Sequence, residues 1–298
     1  MVCKTTNVVG KVVMCQSENM EESNTIKAFK TELIKTMPYF PNTKEVKEEL
    51  QTQHLCSVLF HYLHWASRLI PARPRSATVE PYLLMDTRWD IHEKDVLSLL
   101  KKVRLGEDLT NHLSNKVMTK GYTPKENILA KKDSWADKDQ LLNTKGFHHF
   151  HLKAGKGSKG NIVLFAQVSR ETFKAVALFD HSVFDYSNDE MSQERKRMWA
   201  IFDDIASREI APNTAYMSNP ITMSGHPIHI HSMTQQYWHV IEQVDDELSS
   251  KEFAKNIYAD TDYSIPKKTK FRWLLNGLDL GVLEVKSKHF FIYRYGYI

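Results

Sequence analysis

The chain has 298 residues, 42% hydrophobic and 11% aromatic, which is ample for a packed core and argues against wholesale disorder. A formal charge of +4 with pI near 8.7 permits an anionic partner without demanding one. Length accommodates one large or two modest domains.

Cys3, Cys15 and Cys56 are odd in number and lack CxxC spacing. They read as reduced thiols of a cytosolic protein, not as a disulfide framework or zinc ribbon. The first residues hold no signal-peptide h-region, and no run approaches the roughly 18 apolar residues of a membrane span. A soluble, cytoplasmic protein without membrane partners is expected.

Asn42 or Thr43 is predicted to cap a helix running to about Leu69, with Leu50, Leu55, Val58, Leu59, Tyr62 and Leu69 on one broad face. The prolines of "IPARPRSATVEP" then force extended backbone. Thr87 or Asp90 opens the next helix, which carries Val96, Leu99, Leu100 and Val103. Short helices are expected between Gly106 and Gly121 and around "SWADKDQLL".

At Gly146 the hydrophobic period changes to two. Strands are predicted at Phe147–Lys153, Asn161–Ser169 and Thr172–Phe179, the run "IVLFAQV" being apolar enough for burial on both faces. An amphipathic helix follows in "DEMSQERKRMWAIFDDIASREI", then short strands near Thr214–Met217 and Pro227–His231, and a helix at Gln235–Leu248. "KFRWLLN", "GVLEVK" and "HFFIYRYGYI" read as closing antiparallel strands, the last of which closes a sheet or meets a second copy. The expected class is α+β: a mainly helical portion over 1–145, then 146–298 built on a mainly antiparallel sheet with flanking helices.

"GKGSKG" fits GxGxxG at Gly155, Gly157 and Gly160, but the next residues read as a strand. A dinucleotide loop needs a helix there, so the motif is a turn between antiparallel strands. The turn concentrates charge: Lys145, Lys153, Lys156, Lys159 and Arg170 suit either a solvated loop or a phosphate-facing edge.

Fourteen histidines include "FHHFHL" and "HPIHIHS". Strand alternation puts His149 and His151 on one face and His148 on the other, and likewise pairs His229 with His231. Two uses are open. A divalent metal, zinc or manganese for instance, would take His149, His151, His229 and His231, with His181, Asp180 or Glu242 as a further ligand. Alternatively the imidazoles work without a metal or other cofactor, as acid and base in RNA cleavage through the 2′-hydroxyl. His149 and His151, or one of them with His181, would then be base and acid, while Arg170 and the turn lysines hold the phosphate.

The stretches "GEDLTNHLSNKV", "DKDQLLNTKGFHHFHL" and "NIVLFAQVSRETFKAVALFDHSVF" resemble an uncharacterised family of bacterial proteins. In that family a His-His-x-His-Leu strand precedes an LLFA-type strand and a further strand ending in histidine. The succession is similar to the barnase/EndoU/RelE group of small ribonucleases and toxins. The resemblance covers about 106–184, with a weaker match at "MWAIFDDI". It implies that His148, His149, His151, Arg170 and His181 occupy the polar positions, although the usual Arg-Thr pair is here Arg170-Glu171-Thr172.

The leading expectation is therefore a metal-independent endoribonuclease, as in a toxin or phage-defence effector, with RNA as substrate and an inhibitory or antitoxin protein as partner. Trp65, Trp89, Tyr122, Trp135 and Tyr295 would be available for base stacking. The alternatives are a non-enzymatic module binding nucleic acid or an acidic partner, with "RLIPARPR" at an exposed bend, and a His-ligated metalloenzyme.

Overall fold

A computed structural model describes residues 22–124, 140–154, 160–187, 190–211, 213–214, 219–222 and 225–298. The fold is α+β. Helices α1 (Asn24–Thr36), α2 (Lys44–Thr52) and α3 (Leu55–Ala66) lead to strand β1 (Ser76–Val79), then α4 (Pro81–Leu84) and α5 (Trp89–Leu105). A 3-10 turn (Thr110–His112), α6 (Asn115–Thr119) and α7 (Gln140–Lys145) precede β2 (Phe147–His151), β3 (Ile162–Val168) and β4 (Thr172–Asp180). Beyond a 3-10 turn (His181–Phe184) come β5 (Tyr186–Ser187), β6 (Glu190–Met191), α8 (Gln193–Ser207), α9 (Ile228–Val244) and α10 (Lys251–Tyr258). Strands β7 (Phe271–Asn276), β8 (Asp279–Glu284) and β9 (Phe290–Arg294) close the chain.

The four-stranded sheet has the order β1-β4-β3-β2, with β1 parallel to β4 and the other pairs antiparallel. Strands β7, β8 and β9 form a separate antiparallel sheet. The proline-rich stretch extends as expected, and its residues after Pro74 pair with β4. One hydrophobic cluster runs from Phe29 and Leu59 through Phe150 and Leu178 to Tyr237 and Val282. The change of texture at Gly146 is thus no break in the core.

The single helix expected from Thr43 to Leu69 is two helices. Gln53 is extended and the His54 imidazole caps α3 through Nδ1, 3.3 Å from the Cys56 amide. Helix α5 starts at Trp89 and ends on Gly106, whose φ of 72° suits glycine and whose missing Cβ admits Pro74. The Pro227–His231 strand is a helix. Ile230, Met233, Tyr237 and Ile241 are buried at helical spacing, and this longer period overrides the local alternation of "HPIHIHS". Thr214 is in no strand, and 215–217 lie outside the described residues. The "SWADKDQLL" helix is described from Gln140 onward only. Cys56 is buried and disulfide-bonded, not the reduced thiol expected; its partner lies outside the described residues. Among the described residues no helix is long and apolar enough to cross a membrane.

Buried carboxylates bracket these elements. Asp245 accepts from Thr25 at 2.7 Å and from the Trp273 indole at 2.8 Å, fixing α1 against β7. Asp279, 3% exposed, accepts from Arg170 at 2.6 Å, the Gly296 amide at 2.8 Å and Arg73 at 3.5 Å. It joins the two sheets and the last residues of the chain. Asp279→Ala removes the buried acceptor shared by Arg170, Arg73 and the Gly296 amide, leaving Arg170 only the exposed Glu171, and is expected to lower unfolding free energy by about 3 kcal/mol in urea titration. A loss under about 1 kcal/mol would show the bracket to be dispensable.

Candidate functional site

Strand β2 sends alternate side chains to opposite faces. Phe147 packs with Phe165, Met198 and Phe202 beneath α8, whereas Phe150 packs in the cluster that holds Phe60 and Tyr237. His149 and His151 therefore share the α8 face, and His148 faces α3 and α9.

On the α8 face the register sets Val163 against both His151 and Phe179, so the end of β4 delivers His181 beside β2. The His151 and His181 rings stack at 5.4 Å and 28°, the His149 and His151 rings are 6.4 Å apart, and Phe184 lies 5.0 Å from His149. Three of the expected histidines form one cluster.

Hydrogen bonds orient it. His181 Nδ1 lies 2.9 Å from the Asn161 carbonyl, which can only accept, so Nδ1 donates and the neutral ring keeps its lone pair on Nε2. The His112 ring is held the same way: Nδ1 donates to the His151 carbonyl at 2.8 Å while Nε2 accepts from Lys102 at 3.1 Å. Asp180, the further metal ligand considered, is engaged in the turn. It caps the turn by accepting from the Ser182 amide and hydroxyl, and the Ser182 hydroxyl bond leads in holding its carboxyl below the usual range.

Other expected residues lie elsewhere. His148 is 5% exposed and donates from Nε2 to the Ser67 carbonyl at 3.1 Å, a structural contact. Arg170 lies in the turn beyond β3, at the opposite end of that strand from the His151 level, and is held by Asp279. Lys145 is buried with Nζ 3.3 Å from the Trp199 ring centre, and burial lowers its pKa. Lys153 is exposed where β2 ends. Lys156, Lys159, Gly155 and Gly157 lie outside the described residues, as does Trp135; a strand follows Gly160, as the turn reading requires.

The metal quartet is not assembled. On a helix His229 and His231 point to roughly opposite sides. His231 stacks on Phe60 at 4.4 Å and His229 lies 3.2 Å from the Tyr297 hydroxyl, both across the sheet from His149 and His151. Glu242 is about 17 Å further along the helix than His231. Among the described residues no group of three or more His, Cys, Asp or Glu side chains is arranged to hold a metal ion.

The "RLIPARPR" arginines are not an exposed bend. Arg68 and Arg75 are buried and bond backbone carbonyls, and Arg73 meets Asp279. Trp65 and Tyr122 are core residues, Trp89 packs against the core, and Tyr295 is 66% exposed.

Sequence reasoning passed over two neighbours of the cluster. Arg195, in the first turn of α8, donates to the Val183 carbonyl at 3.3 Å, bringing a guanidinium to the turn that carries His181. Its only sequence signal is a place in the basic run "ERKR". His112, 39 residues before His151, gave none. Comparison of the chain with protein-family models, curated proteins and solved structures found no match.

Under the opposite face, His64, His226 and His231 crowd around Phe60, with His64 and His226 rings 4.8 Å apart. Burial first, then Arg68 and His226, hold the His64 imidazole well below its usual value. Unfolded, it protonates near pH 6.5, so below that pH the unfolded chain binds more protons than the native one. Stability should be full above about pH 6.5 and fall with acidification, by up to about 1.4 kcal/mol per unit from this group. Urea midpoints at pH 7.5 and 5.5 test this, and His64→Gln should flatten the difference.

Proposed function

We propose that the protein is a metal-independent endoribonuclease, in the manner of a toxin or phage-defence effector, acting through His149, His151 and His181. The observation that carries the reading is the contact of His151 and His181 at 5.4 Å, with His149 6.4 Å from His151. Strand cleavage through the 2′-hydroxyl needs a base and an acid on either side of one phosphate, and imidazoles at this separation suit both roles.

His181 is the base. Its Nδ1 is engaged by Asn161, so Nε2 takes the 2′-hydroxyl proton as the O2′–P bond forms. His151 or His149, protonated, delivers a proton to O5′ as the P–O5′ bond breaks, leaving a 2′,3′-cyclic phosphate and a 5′-hydroxyl. Lys153 and Arg195, with Lys156 and Lys159 of the turn, are the cations for the phosphorane charge. Arg170 is left out of this scheme because Asp279 holds it at the other end of β3. An activity of this kind inside its own cell calls for restraint, hence the inhibitory protein partner in the proposal.

The test is total RNA with purified protein in excess EDTA, product ends mapped. Cleavage is expected, with cyclic phosphate ends. His151→Ala and His181→Ala should each slow it roughly 10²–10⁴-fold, the usual contribution of a general acid or base. RNA intact under every buffer, or cut only after manganese or zinc is added, would sink this reading.

A further inference from the structure

The face of β2 opposite the histidine cluster borders a cavity of about 760 Å³, walled by the ends of α3 and α7, the first half of α9 and the last residues of the chain. That volume falls within the range of small-molecule sites, roughly 300–1,000 Å³. The proposed ribonuclease chemistry uses none of its walls.

The lining has an uneven charge. Among the described residues it contains no Asp, Glu or Lys, and its one full charge is Arg294. Arg294 is exposed at the mouth, donates only to the Tyr293 carbonyl at 3.0 Å and makes no ion pair among the described residues. The nearby Arg170 is unlike it: Asp279 neutralises it, and its guanidinium lies 4.4 Å from the Tyr295 ring centre. That contact steadies an aromatic face beside the unpaired guanidinium. Also on the lining, His229 Nε2 and the Tyr297 hydroxyl lie 3.2 Å apart, and both residues are solvent-exposed. They offer hydrogen bonds. Met233 and Val168 supply apolar wall.

We infer that this cavity binds a small organic anion: a phosphate or carboxylate head against Arg294 and a flat apolar body against Tyr295. A cation would meet no counter-charge among the described lining, and an inorganic ion would leave most of the volume unfilled. The chemistry fits a nucleoside monophosphate or another aryl phosphate.

Calorimetry on the full chain at pH 7 and moderate salt separates these, using inorganic phosphate, phenyl phosphate and the four ribonucleoside 5′-monophosphates. One equivalent of phenyl phosphate or of a mononucleotide should bind with Kd of about 1 mM or tighter. Inorganic phosphate should bind at least about tenfold more weakly, lacking the apolar body. Binding of mononucleotides alone assigns the site to nucleotides; binding of phenyl phosphate alone assigns it to other aryl anions. Arg294→Ala, on an exposed side chain, should keep the fold and raise Kd about tenfold or more, the worth of one charge-assisted pair. The double variant His149→Ala/His181→Ala should bind as the wild type does, which separates this site from the histidine cluster. The inference falls if no probe binds below several millimolar, if Arg294→Ala leaves Kd unchanged, or if the double variant abolishes binding.

Discussion

The central hairpin of β3 and β4 is buried on both faces, and most of the architecture answers to that. Val163 to Ala166 and Ala175 to Phe179 are without exposed surface, each larger side chain contributing about 1.5–3 kcal/mol by burial. Such a hairpin demands a cover on each side. Helices α3 and α9 supply one, α8 and the turn after β4 the other. A neighbouring strand must then divide its side chains between two environments. That is why adjacent histidines differ in kind, His148 fastened to a carbonyl of the helical side and His149 turned to a cluster of imidazoles.

Arginine explains where the basic charge has gone. Arg68, Arg73, Arg75 and Arg170 point at carbonyls or at Asp279, while Arg88 and Arg197 both meet Asp86 and the Leu178 carbonyl. These planar donors bridge segments remote in the chain, a task for which a guanidinium is better shaped than an ammonium. A count of basic residues therefore overstates the cationic surface of this molecule.

Strand β3 was legible as a continuous apolar run, and β2 and β4 through the change to a period of two at Gly146. The face of the α8 helix was legible for a similar reason, with Met198, Ile201 and Phe202 buried at helical spacing. "HPIHIHS" misled because seven residues fit either period, and only the continuation through Tyr237 and Ile241 decides between them. The α1 helix carries Ile26, Phe29 and Leu33 at helical spacing, a pattern equally present in the sequence. The histidine cluster was half visible: alternation joins His149 to His151, and the hairpin register adds His181. Arg170 shows the limit. Its partner lies 109 residues away, and no local pattern distinguishes an arginine bound for a buried aspartate from one bound for a phosphate.

Strand β2 stands at the edge of its sheet, and an edge strand is a template on which a second chain can add. The imidazole of His112 occupies one of its outward carbonyls, at His151. The contact that holds the histidine-bearing strand in place thus also interrupts the row of acceptors along which copies of the protein would stack. Orientation of the site and resistance to edge-to-edge self-assembly are, at this residue, the same hydrogen bond.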